Sequence, residues 1–117
     1  MWAAWAVLAC CLVPASAPAA VADRDRLDRT VRYLQDAQNA DGGFGAVRGA
    51  PSDPGISAWA ALGLAAAGIN PFDQARPGGA DAATYLLRET RFEATTDYER
   101  AALVAIAAGI PLRDWNG

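Results

Sequence analysis

Two short clusters hold the side chains with which this chain could do chemistry: Asp53, just ahead of Ile56-Ser57, and Asp97-Tyr98-Glu99-Arg100. A carboxylate at such a place can act as an acid or base, or simply cap a helix. Asp97 is expected to cap, because acidic side chains are favoured at a helix N-terminus, and a ligand-facing role for Arg100 is the alternative. A third feature, the corner Asp41-Gly42-Gly43-Phe44-Gly45, has the Gly content of a loop that can bring backbone amides close to a phosphate. There is no His, so the commonest general base and metal ligand is missing. The only cysteines, Cys10 and Cys11, are adjacent and lie in an apolar leader. A zinc site or a Ser-His triad confined to this chain is therefore not expected, and no metal or cofactor is called for.

The elements that would have to position these residues begin at Asp23. All 10 Arg and all 13 acidic residues of the 117 fall in residues 23–117, so the formal charge of −3 belongs to that part. With no Lys and no clustered Arg, the chain lacks the electrostatic footprint of a nucleic-acid binder. Residues 1–22 carry no charged side chain. The run Trp2 to Val13 is too short to span a bilayer, and small residues follow it, which fits a signal peptide cut after Ala20-Val21-Ala22. Val7-Leu8-Ala9-Cys10 is loosely similar to a lipoprotein box, but the apolar run ahead of Cys10 is short and carries no basic residue. The expectation is a signal peptide over 1–22, a secreted or cell-envelope product, and contact with the membrane only during export.

Leu27, Val31 and Leu34, spaced i, i+4, i+7 among charged residues, predict an amphipathic helix over about Arg24 to Gln38 with its apolar stripe turned to a core. The Gly- and Pro-rich stretch from Asn39 to Pro54 must stop it, with Gly42 or Gly43 available for positive φ. From Ile56 through Ala67 there is almost no polar face, which predicts a helix buried on several sides, with Asp53 or Ser57 in its N-cap region and Gly68 then Pro71 as its stop. The chain then approximately repeats itself. Ala83 to Leu87 parallels Thr30 to Leu34, and Ala101 to Ile110 parallels Ala60 to Ile69, with Ala-Ala-Gly-Ile recurring 41 residues on, from Gly68 to Gly109. Two helices per unit at such a spacing mark a helical repeat.

Tyr33-Leu34, Gln38, Gly42 and Phe44, at this spacing and followed by Ser57 to Leu64, resemble the glutamine-tryptophan repeat of the squalene cyclase and protein prenyltransferase superfamily, with Phe44 in place of Trp. In this motif Tyr33, Leu34, Gln38, Gly42, Gly43 and Phe44 serve a structural role, in which the amide satisfies orphan backbone groups at helix ends, the aromatic ring caps a packing layer and Gly permits the turn. The second unit is degenerate, with Thr90 where Gln would stand. The resemblance implies an all-α fold, tandem helical hairpins forming part of an α/α toroid. Residues 23–117 would make about two hairpin units of an incomplete ring, leaving apolar helix sides uncovered.

Activity does not follow from such a fold. In cyclases of this kind an acidic segment precedes the inner helix, and here only Asp53 matches, with Gly55 and Ile56 at the other acidic positions. Prenyltransferases hold zinc with Asp, Cys and His, whereas this chain has no His and its Cys residues lie in the leader. The resemblance thus implies an exported, non-catalytic toroid segment serving ligand binding or protein interaction, with a hydrophobic small molecule or further toroid repeats as partner. Asp53, Trp59, Tyr98 and Arg100 are the candidate ligand-binding residues, and Phe44 is a further aromatic for a cavity mouth. The alternative is an N-terminal piece of a cyclase- or prenyltransferase-like enzyme whose catalytic residues lie elsewhere.

Overall fold

Ala-rich sequence with polar punctuation folds into four helices in the computed structural model, which describes residues 17–88, 92–111 and 113. They are α1 (Ala17–Ala37), α2 (Pro54–Ala66), α3 (Ala82–Arg88) and α4 (Thr95–Ala108). No strand occurs among the described residues, and the fold is all-α. Cys10, Cys11, Thr90 and residues 1–16 of the leader lie outside the described residues. None of the described helices is long and apolar enough to cross a membrane.

The first helix starts earlier than its charge pattern suggests. Ala17 to Ala22 is rich in the best helix former, and Pro18 falls in the first turn, where its missing N–H costs nothing. The expected cleavage point after Ala22 therefore falls within α1. Its apolar stripe is engaged only in part: Val31 and Leu34 pack against the core, whereas Leu27 is 48% exposed. The core lies beside the C-terminal end of α1, and Leu27, two turns back from Leu34, is not part of it.

Residues 38–53 form the corner predicted from the Gly content, and their hydrogen bonds show why they hold one shape. Gly42 has φ of 93°, and its N–H donates to Asn39 O at 3.1 Å. A Cβ at Gly42 would run into the Asp81 carbonyl, so the corner needs Gly twice over, for its dihedral and for its neighbour. Asn39 Nδ2 donates to Ala50 O and to Ser52 Oγ, both at 2.9 Å, tying the two ends of the corner together. Asp53 then caps α2, its carboxylate accepting from Ile56 N–H at 2.8 Å.

The core is small-residue packing around a few large side chains. Ala58, Ala61 and Leu64 of α2 meet Ala101 and Val104 of α4, with Leu86 of α3 and the rings of Phe44 and Phe92 closing the cluster. Ala at these contacts lets helices approach closely, and each buried aromatic supplies area that Ala lacks. The repeat seen in the sequence has a structural counterpart at the helix ends. Gly68 and Gly109 are both left-handed, with φ of 85° and 76°. Ile69 N–H donates to Leu64 O at 3.0 Å, and Ile110 N–H donates to Ala105 O at 2.8 Å, the same Schellman closure 41 residues apart.

Helix α2 is covered on several sides, as its composition predicts, and is open along one stripe only. Ser57, Ala58, Ala61 and Leu64 are buried, but Trp59, Gly63 and Ala66 are exposed, with Trp59 at 61%. These three positions follow one another at i, i+4 and i+7, so the packed helices and the corner leave only a narrow stripe of α2 open.

Candidate functional site

The Gly-rich corner is not an anion cradle, because its amides are already used. Gly43 N–H donates to Asp41 Oδ1 at 3.0 Å, and Phe44 N–H donates to Ser57 Oγ at 2.8 Å. With Gly42 N–H held by Asn39 O, three successive amides of the corner already have acceptors within the chain. The corner's polar centre is instead Gln38, which is fully buried. Its Nε2 donates to Gly42 O and to Gln74 O, each at 2.9 Å, and its Oε1 accepts from Gln74 Nε2 at 3.0 Å. Gln38 thereby holds the end of α1 to the approach to α3. Leu34 rests near Gly63, whereas Tyr33 is exposed. Phe44 is buried in the core at 2% exposure, which rules it out as a residue lining a cavity mouth.

The polar residues of the two clusters gather at the N-terminal ends of α2 and α4. Gly55 makes this possible: a Cβ there would lie 3.1 Å from Asp97 Oδ1, 3.2 Å from the Arg100 guanidinium and 3.3 Å from Asp53 Oδ1. The cleft between the two helix ends has a volume of about 550 Å³ and is lined by Asp53, Ile56, Trp59, Glu93, Asp97 and Arg100, together with Ser52, Pro54 and Gly55. Arg100 donates to Asp97 Oδ1 at 2.6 Å, and its guanidinium lies over the Trp59 ring, 5.2 Å from the centroid. The i, i+3 spacing of Asp97 and Arg100 puts them on one helix face.

Three of the four residues picked out from the sequence, Asp53, Trp59 and Arg100, thus share one cleft. Tyr98 does not line it. Two positions from Arg100 on a helix is more than half a turn, and Tyr98 instead packs its ring on Phe92, with centroids 5.2 Å apart and planes tilted by 60°. Asp97 is not the N-cap that the sequence led us to expect. Helix α4 starts at Thr95 with Ala94 as N-cap, and Asp97, in the third position, accepts from Ala94 N–H at 3.2 Å. Glu93, Phe92 and Gln74 had no signal in the sequence. Each sits in a connection, where neither periodicity nor a motif marks a buried or site-facing side chain.

Two of the three carboxylates in this cleft are already committed. The Asp53 carboxylate is spent on capping α2, and that of Asp97 holds Arg100 and the start of α4. Three carboxylates against one guanidinium give the lining a net charge of −2, an unfavourable setting for a diphosphate. Among the described residues no group of three His, Cys, Asp or Glu could hold a metal ion. A larger cleft of about 660 Å³ lies at the end of α1. Its cations are paired, Arg48 with Asp36 at 3.1 Å and Arg76 with the Gln38 carbonyl at 3.1 Å, and it presents no aromatic surface.

Compared with known proteins, the chain matches no family model, no curated protein and no solved structure.

Proposed function

We propose that this chain is an exported, non-catalytic segment of α/α-toroid type, and that its work is binding rather than chemistry. The observation that carries the reading is the cleft at the ends of α2 and α4, where an indole 61% exposed stands open while the carboxylates of Asp53 and Asp97 are occupied in holding helix ends. An exposed Trp ring with a paired Arg at its face offers a stacking surface for an apolar or aromatic molecule. The toroid reading is supported by two features: the repeated Ala-Ala-Gly-Ile closure, and the Gln38-centred corner that joins α1 to its neighbours. The export reading rests on the uncharged, small-residue leader.

The test uses the full chain and the uncharged fluorescent probe Nile red, with farnesyl diphosphate and squalene as candidate substrates. The reading expects saturable probe fluorescence that Trp59→Ala abolishes, and neither substrate converted. Formation of a cyclised or prenyl-transferred product would refute it, as would probe binding indifferent to Trp59. Export is checked separately by N-terminal sequencing of the mature product, expected to begin at Asp23.

A further inference from the structure

Asp53, Glu93, Asp97, Arg100 and the N-termini of α2 and α4 all meet at the cleft between the two helix ends. Arg100 pairs with Asp97 at 2.6 Å, and these two charges cancel. Asp53 caps α2, its carboxylate accepting from Ile56 N–H at 2.8 Å. A helix N-terminus carries about half a positive charge, so the two together offset one carboxylate, that of Asp53. Glu93 is left over. Among the described residues it has no hydrogen-bond or ion-pair partner, and it is exposed. The adjacent Phe92 is buried and packs on Tyr98, with ring centroids 5.2 Å apart, which pins this connection and keeps Glu93 at the cleft.

Beside the uncompensated carboxylate stands the Trp59 ring. It already takes one cation, the Arg100 guanidinium at 5.2 Å from its centroid, and it is still 61% exposed. Indole attracts a cation better than any other side-chain ring, because the face of its π-system is the negative part of the quadrupole. Arg100 is held by Asp97 and does not answer Glu93. An uncharged molecule on Trp59 would leave the Glu93 charge unmet, and an anion would be repelled by it. One positive charge on an apolar body satisfies both the ring and the carboxylate.

We infer that the ligand of this cleft is a small organic cation with a single positive charge, of the quaternary or aromatic ammonium class. Its apolar body lies on the part of Trp59 that Arg100 leaves open, and its charge faces Glu93. The inference rests on the binding reading above and narrows its ligand from an apolar or aromatic molecule to a cationic one. A volume of about 550 Å³ has room for a molecule of this kind.

The full chain is titrated by calorimetry with benzyltrimethylammonium and, as an anion of similar size, with phenylmethanesulfonate. The ammonium is expected to bind saturably, to displace Nile red and to bind more weakly as sodium chloride is raised, while the sulfonate does not bind. Glu93→Gln should weaken the ammonium about fivefold, the effect of one unit charge at about 4 Å in water, and Trp59→Ala should abolish its binding. Glu99→Gln removes an equal charge from an exposed position of α4 outside the cleft and should leave the affinity unchanged. Glu93 and Glu99 are both exposed, so both variants should fold, which circular dichroism checks. A sulfonate that binds as tightly as the ammonium, a Glu93→Gln chain with wild-type affinity, or a Glu99→Gln chain weakened as much as Glu93→Gln would each overturn the inference. A wild type that binds Nile red through Trp59 but not the ammonium overturns the cation alone. Failure to bind either overturns the binding reading with it.

Discussion

Gln38→Met tests whether the corner is held by hydrogen bonds or by shape. Met nearly preserves the volume of the side chain, so the cavity contribution is small and the loss isolates the amide. In the wild type that amide makes three hydrogen bonds of 2.9 to 3.0 Å in a fully buried position. After substitution Gln74 O keeps the Ala82 N–H at 3.1 Å, but Gly42 O and Gln74 Nε2 lose the partners that Gln38 gave them. A buried polar group without a partner costs about 1–3 kcal/mol, so two of them predict a loss of about 3 kcal/mol. For a small domain with a urea dependence of about 1 kcal/mol per M, the unfolding midpoint would fall by about 3 M. Urea titration followed by circular dichroism at 222 nm reads this directly, and an unchanged slope would show that the unfolding transition itself is unaltered. Gln38→Ala, which adds a cavity, should lose more. A loss below about 1 kcal/mol for Gln38→Met would refute the argument, because it would mean that the amide only fills space.

Four further outcomes rest on single contacts. Gly42→Ala meets both a positive φ and the Asp81 carbonyl, so thermal unfolding should show a loss of more than about 1 kcal/mol, the cost of the left-handed conformation alone. Gly68→Ala and Gly109→Ala have open space around a Cβ and the same closure, so each should lose about 1 kcal/mol and the two losses should match within error. Asp53→Ala removes the cap of α2 and should cost about 1 kcal/mol, most of it restored by Asp53→Asn, as read by urea unfolding. Trp59→Ala should leave stability within about 0.5 kcal/mol, as an exposed position does, while abolishing the fluorescence of the bound probe.

Much of this fold could be read along the chain because its signals are local. The stop between α1 and α2 follows from Gly and Pro, the cap at Asp53 from its place before an apolar run, and the matching helix ends from two copies of Ala-Ala-Gly-Ile. Gln38 was legible as a structural residue through the repeat motif that its spacing from Leu34, Gly42 and Phe44 resembles. Its partner Gln74, 36 residues away, was not, since only folding brings the connection after α2 against the end of α1. Tyr98 shows the opposite case, a residue beside a site in sequence that helix rotation carries away from it.

Propensity, capping and turn chemistry act over a few residues, and so the order of helices and corners and the near-repeat of one unit were already fixed along the chain. Which apolar face of each helix is covered was settled by packing in three dimensions. Helix α2 is apolar nearly all round, so its composition cannot say which side meets α4 and which stays open. Contacts from distant parts of the chain make that choice: Ala58 and Ala61 join the core, Gly55 lets the two helix ends come together, and Trp59 is left standing at the cleft beside Arg100.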